Sequence, residues 1–248
     1  MGINISDLSY IKEKEILKNI NMQIDNSEIY TILGFGKTTL LNIITNNIKD
    51  FNGSVKNSFK NISYIKENIE KHFININLKK EMKMFKNKNN IDKVLEILNI
   101  DKEFLNKNVF NEDYMDMKKS ALFLGIIKKG DLIVFDEPFY GLSKTDKEEM
   151  VKIIKKIKKE FNIPIIITSN DTESIHKVSD YIYVIDKEII IEGNKYDVFK
   201  EKKLLNKHGI VIPKIMEFSS EVLDKKKIKM GYRDDINDLI KDIYRYAK

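Results

Sequence analysis

The chain of 248 residues has no cysteine, only three prolines and only ten glycines. Without cysteine there is no disulfide framework, no thiolate metal site and no cysteine nucleophile. Three scattered histidines, His72, His176 and His208, do not make a zinc site. Long apolar runs are missing too. A stretch such as Ile163 to Thr168 falls far short of the ~20 residues that span a bilayer, and no signal peptide is visible. No aromatic-basic cluster or groove-reading motif is present, so nucleic acid is not an expected partner.

What remains is 42% hydrophobic and 33% charged, which is globular rather than disordered. The net charge of +6 is interspersed, as in Lys155-Lys156-Ile157-Lys158-Lys159-Glu160, and reads as a solvated helix face. The length suits one large α/β domain with a small appendage.

Alternation at Ile3 and Ile5, then at Ile20, Met22 and Ile24, has the period of half-buried strands, with Asp25-Asn26 as a turn signal. Ile29 to Leu33 reads as a buried strand. It runs into Gly34-Phe35-Gly36-Lys37-Thr38-Thr39 and an apolar helix from Leu40 to Ile44. Strand, glycine turn and helix form the setting of a phosphate-binding loop. Amides at the helix start favour an anion. Lys37 adds a point charge for the phosphates, Thr38 offers a hydroxyl to Mg²⁺ and Thr39 extends the set. Yet the complete pattern G-x-x-x-x-G-K-[ST] spaces its glycines further apart, and here Phe35 alone separates them. The loop is about three residues short, and part of its N–H cradle goes with them.

Residues 75–119 are polar with helical spacing at Ile91, Val94, Leu95 and Leu98, and Lys128-Lys129-Gly130 ends an apolar helix. Leu132 to Phe135 is a buried strand that ends in Asp136-Glu137-Pro138. A carboxylate there suits Mg²⁺, and the next glutamate can polarise water. A helix from Lys144 to Phe161, a strand from Pro164 to Thr168, a helix at Thr172 to Val178 and a strand at Tyr181 to Ile185 follow. This alternation predicts an α/β fold with a mainly parallel sheet covered on both faces. Beyond Tyr196 the pattern is helical: Val198 to Leu205, Lys214 to Leu223 and Arg233 to Tyr246.

The ordered set resembles the P-loop nucleotide-binding domain of ABC transporters, from Ile3 to about Phe199. Tyr10 sits where that family stacks adenine. Tyr64-Ile65-Lys66-Glu67 resembles the glutamine loop, with Glu67 in place of glutamine and still able to ligate Mg²⁺. Phe135-Asp136-Glu137-Pro138 resembles the Walker B strand with its catalytic glutamate, and Gly141-Leu142-Ser143 the D-loop. Thr168-Ser169-Asn170-Asp171 resembles the switch segment, with Asn170 in place of histidine. The signature Leu-Ser-Gly-Gly-Gln falls on Glu112-Asp113-Tyr114-Met115-Asp116. Both glycines are lost there, and carboxylates would face a triphosphate.

Residues Glu67 to Ile74 and the tail at Asp197-Val198-Phe199 and Gly209 to Glu217 resemble energy-coupling-factor transporter ATPases. The resemblance implies a nucleotide-binding domain over 1–199 with a helical subdomain at about 75–125, and a dimerisation-like helical region over 200–248. It implies ATP and Mg²⁺ as cofactors, a second ABC ATPase subunit and a transmembrane transporter protein as partners, and a place on the cytoplasmic face of the membrane. The implied activity is ATP hydrolysis that energises import of a vitamin or metal ion. The short loop and altered signature point alternatively to a non-hydrolysing structural or regulatory partner.

Overall fold

The computed structural model describes residues 1–25, 28–85, 90–226 and 233–246. Asn26, half of the expected turn at 25–26, lies outside them. Nine strands and ten α-helices are described: β1 (Ile3–Ile11), β2 (Glu15–Ile24), β3 (Ile29–Phe35), α1 (Lys37–Ile44), β4 (Asn52–Asn57), β5 (Ile62–Ile65), α2 (Leu78–Met82), α3 (Ile91–Leu98), α4 (Tyr114–Ile127), β6 (Leu132–Asp136), α5 (Lys144–Phe161), β7 (Ile165–Thr168), α6 (Thr172–Val178), β8 (Tyr181–Asp186), β9 (Glu188–Asn194), α7 (Lys195–Lys200), α8 (Lys202–Lys207), α9 (Lys214–Lys226) and α10 (Ile236–Tyr246).

The main sheet has six strands in the order β5-β6-β7-β3-β8-β9. Its strands run parallel except β9, which returns antiparallel along β8. Side chains alternate between the two faces of each strand. Leu33, Ile133, Phe135, Ile167 and Val184 therefore enter one core, packed by α3, α4, α5, α6 and α7. Ile32, Leu132, Val134, Ile166 and Ile185 enter a second core under α1 and the antiparallel sheet β2-β1-β4. A sheet buried on both faces reads as continuous apolar strands, and all five residues of β6 are buried.

The bounds of α5 and α6 agree with the sequence reading. The stretch from 75 to 119 is more broken than its periodicity predicts: α2 and α3 are followed by 3-10 turns at Lys102–Asn106 and Val109–Asn111, and a further one at Ile69–His72 precedes the stretch. Asparagines cap several of these pieces, Asn77, Asn90 and Asn108 each accepting from an amide two or three residues on, which is how this side chain starts a new turn. The helix expected over Val198 to Leu205 is two helices, α7 and α8, that meet at Glu201, and the last helix begins at Ile236 rather than Arg233.

Candidate functional site

The site is built at the C-terminal edge of β3, β6 and β7, the usual location for ligands in such sheets. β3 lies between β7 and β8 and passes straight into the turn before α1. Gly34 adopts a φ of 97° opposite Ile185, and a Cβ there would stand 2.0 Å from the Ile185 carbonyl oxygen. Gly36 is the N-cap of α1 with a φ of 88°, and a Cβ there would meet Leu17 Cδ2 at 2.9 Å. Gly34 therefore excludes a side chain, pressed against the β8 backbone, whereas at Gly36 the positive φ disfavours one and the Leu17 side chain of β2 crowds it. Helix α1 starts with no side-chain cap and no acid in its first turn, so its end keeps a partial positive charge free for an anion.

Lys37 is the first residue of α1, and its Nζ lies 2.9 Å from Glu137 Oε1. The side chains are 11% and 13% exposed. Glu137 follows β6 in the left-handed region, with a φ of 50°, uncommon for a residue with a side chain. Its N–H donates to the Thr168 carbonyl (3.0 Å) and lies 3.2 Å from Thr168 Oγ1. Its carbonyl accepts from Lys118 Nζ at 2.7 Å.

Asp136 ends β6 and is 2% exposed. One carboxylate oxygen accepts from the Thr168 hydroxyl, and the other accepts from the Tyr64 hydroxyl at 3.3 Å. Burial pushes its pKa up, and those two hydrogen bonds act the other way. Burial and the facing Asp136 charge raise the Tyr64 phenol well above its ordinary range, and Glu67 adds to this.

The remaining expected residues sit around this centre. Thr38 is exposed and Thr39 half-buried on the first turn of α1, and the Thr38 carbonyl accepts from Asn42 Nδ2. Exposed Glu67 follows β5, and its carbonyl accepts from the Tyr114 hydroxyl at 3.3 Å. It lines a hollow of about 450 Å³ with Ile69, Glu70, Tyr114 and Tyr140. Asn170 is exposed just past β7, and the next residue, Asp171, caps α6 and pairs with Lys147 at 2.5 Å. Tyr10 is half-buried near the end of β1, opposite Leu17, with its ring against the second core.

The segment at the signature position still opens a helix. Asp113 Oδ1 accepts from the Asp116 amide at 2.9 Å and caps α4. Tyr114 covers Gly141, where a Cβ would stand 2.8 Å from the ring. Met115 turns into the core. Sequence reasoning overlooked Lys118, which is 1% exposed inside α4. Its signal was a lysine four residues after Tyr114, leading into the apolar run Ala121 to Ile127. It also overlooked Thr168 and Tyr64 as partners of Asp136: each was noted only as the first residue of a resembling segment, and nothing local links either hydroxyl to the end of β6.

Strand, glycine turn and helix, with a lysine facing an acidic strand end, define a P-loop nucleotide-binding fold. The chain belongs to the ABC transporter family, whose sequence profile matches residues 17–140. It is 26% identical over 265 aligned positions to the energy-coupling factor transporter ATP-binding protein EcfA2 of Staphylococcus epidermidis, covering 93% of this chain and 92% of that one. It is 28% identical over 218 positions to the zinc import ATP-binding protein ZnuC of Ehrlichia ruminantium, covering 82% and 88%. Among solved structures, cbiO1 from Clostridium perfringens, part of the ABC transporter complex cbiONQ, superposes with a TM-score of 0.72 at 21% identity, over 88% of this chain and 98% of that chain.

The family binds ATP, typically with Mg²⁺, and ATP hydrolysis is its general activity. The uncapped start of α1 and Lys37 fit a phosphate. Of the expected magnesium donors, Thr38 and Glu67 are exposed, whereas Asp136 does not fit as arranged, because both its oxygens accept from hydroxyls and its side chain is buried. Among the described residues no helix is long and apolar enough to cross a membrane.

Proposed function

We propose that this chain is the ATP-binding subunit that energises a membrane importer of the energy-coupling-factor type, carrying a vitamin or metal ion. It would pair with a second ABC ATPase subunit and dock on a transmembrane protein at the cytoplasmic face of the membrane. The observation that carries this reading is the 2.9 Å approach of Lys37 to Glu137 at the mouth of an uncapped helix. Two residues far apart in sequence meet there as the cation for a phosphate and the carboxylate for a water. The likeness to EcfA2 and ZnuC supports importer coupling.

In this reading Lys37 and the first turn of α1, with Gly34, Gly36, Thr38 and Thr39, hold the phosphates, and Tyr10 takes the base. Bound ATP supplies a phosphoanhydride bond whose hydrolysis resets the pair of subunits. When a phosphate arrives, the Lys37 amine exchanges the Glu137 carboxylate for it. Glu137 is then free to accept a proton from water. Asn170 offers its amide to a phosphate oxygen, and Glu67 faces the transmembrane partner's groove and the nucleotide.

A second reading, a non-hydrolysing structural or regulatory partner, draws on the compressed turn at Gly34 and on Asp136 being closed off by Tyr64 and Thr168. Calorimetry of Mg²⁺–ATP with the purified chain and with Lys37→Ala separates the two. Micromolar binding that the variant abolishes is expected of the ATP-binding reading. No binding by either protein overturns it in favour of the second. Turnover that survives Glu137→Gln would remove Glu137 from the catalytic role.

A further inference from the structure

Helix α4 buries a charge without burying a counter-charge beside it. Lys118 is 1% exposed. Its ammonium donates to the carbonyls of Glu137 (2.7 Å) and Pro138 (3.0 Å). It also lies over the rings of Tyr114 (5.0 Å to the centroid) and Phe135 (5.9 Å). These partners are dipoles and π-faces rather than carboxylates. Taking an ammonium out of water costs several kcal/mol, and such groups cluster where a site uses them. The carboxylates that face it at longer range are Glu137 and Asp136 at the end of β6 and Glu67 after β5. Lys37 on α1 stands on the far side of Glu137, and Tyr64 on β5 bonds Asp136.

The two carbonyls belong to the turn that carries the candidate base. Glu137 holds a left-handed φ of 50°, an uncommon and costly conformation for a residue with a Cβ, which fixed peptide groups on either side help to hold. Thr168 secures the Glu137 N–H from β7, and Lys118 secures the Glu137 carbonyl from α4. With the peptide groups on both sides of its Cα fixed, the Glu137 side chain has one exit direction, and that direction leads to Lys37.

We propose that Lys118 is a positioning residue, whose ammonium holds the Glu137–Pro138 turn in the conformation that aims the Glu137 carboxylate at the phosphate side of the site. The consequence for hydrolysis rests on the reading of Glu137 given above. The positioning itself does not. Burial lowers the Lys118 pKa to about 8, against the pull of the three acids, so the clamp loses its charge within an accessible pH range.

The test follows the Glu137 amide by NMR in protein labelled with ¹⁵N-glutamate, from pH 7 to 9.5, in the unaltered chain, Lys118→Met and Lys118→Gln. The expected result is a shift of the Glu137 resonance with one step near pH 8. Lys118→Met removes the step and moves the resonance. Lys118→Gln, a neutral donor, also lacks the step but stays closer to the neutral-pH position. A Glu137 resonance indifferent to both pH and Lys118→Met overturns the proposal, and the titration of the unaltered chain decides the matter even if neither variant folds. In turnover assays Lys118→Met lowers kcat on the order of tenfold or more, with KM for ATP within about twofold and partial rescue by Lys118→Gln. A change confined to KM counts against positioning. Absence of turnover in the unaltered chain, with the resonance step present, sinks the hydrolytic reading of Glu137 and leaves the role of Lys118 in the turn standing.

Discussion

Gly34 and the Lys37–Glu137 pair shape the candidate site at the scale of single residues. A methyl group at Gly34 meets the Ile185 carbonyl and forces a positive φ on a residue with a Cβ. Gly34→Ala is therefore expected to lower unfolding free energy by about 2 kcal/mol or more, read as a lower urea midpoint at unchanged slope. The ion pair makes a different prediction. Lys37→Ala leaves a mostly buried carboxylate without its cation and destabilises on the order of 1–3 kcal/mol, whereas adding Glu137→Gln recovers part of the loss. A double-mutant cycle by chemical denaturation measures that coupling, and simple additivity would contradict it. Lys37, Asp136 and Glu137 were legible in the sequence because each sits at the end of an apolar strand or glycine turn whose pattern announces it. That Asp136 is sealed by Thr168 and Tyr64 was not, because hydroxyls on neighbouring strands come together only through sheet order.

Among the secondary-structure elements, α4 shows how a lost motif can keep its structural duty. Glu112 to Asp116 lack the glycines of the family signature, yet Asp113 still caps the helix and places a negative charge at its positive end. Asp113→Ala is expected to cost about 1 kcal/mol through the lost cap, visible as a fall in thermal midpoint, while Asp113→Ser, also a good cap, largely restores it. Long elements such as α5 were read correctly because a buried stripe persists over several turns, here Met150, Val151, Ile153, Ile154 and Ile157. Strands β4 and β5 went unread as strands. Asn52–Asn57 has only Val55 as an apolar residue, and β5 is four residues long. Both are strands because β1 and β6 supply hydrogen-bonding edges, a tertiary cause that no local pattern records.

Across the whole molecule, the segment before α10 is tied to the sheet domain around one buried histidine. Asp234 accepts from Lys195 Nζ (2.8 Å) and the Tyr196 hydroxyl (2.7 Å). His176, 1% exposed on α6, has its Nε2 3.9 Å from the same carboxylate. Burial lowers the His176 pKa to about 4, with Lys195 adding to it and Asp234 opposing. A histidine whose folded pKa lies below its unfolded value of 6.5 favours the fold when neutral. Its contribution is complete above pH 6.5 and is lost as pH falls through about 4, a change on the order of 3 kcal/mol. Urea midpoints at pH 7, 5.5 and 4 are expected to decline less steeply in His176→Phe than in the unaltered chain, and equal slopes would remove His176 from the account. The mainly parallel sheet covered on both faces was legible in the alternation of strand and helix, though not its strand order. The tie between the segment before α10 and the core was not, since it runs through isolated polar residues such as Asp234 and Lys195.

Helix α4 also works as a machine part. It packs against α2, α3 and β5, and it is fastened to the 137–141 turn at two heights: Tyr114 lies against Gly141, and Lys118 grips the carbonyls of Glu137 and Pro138. Residues four apart stand one above the other on a helix, so these are two bolts in line along one rod. Two contacts one turn apart resist rotation and sliding of the rod more than either would alone. A tilt of α4 is therefore expected to carry the Glu137 turn with it, in the manner of a crank, and a Lys118→Met variant is expected to loosen that linkage.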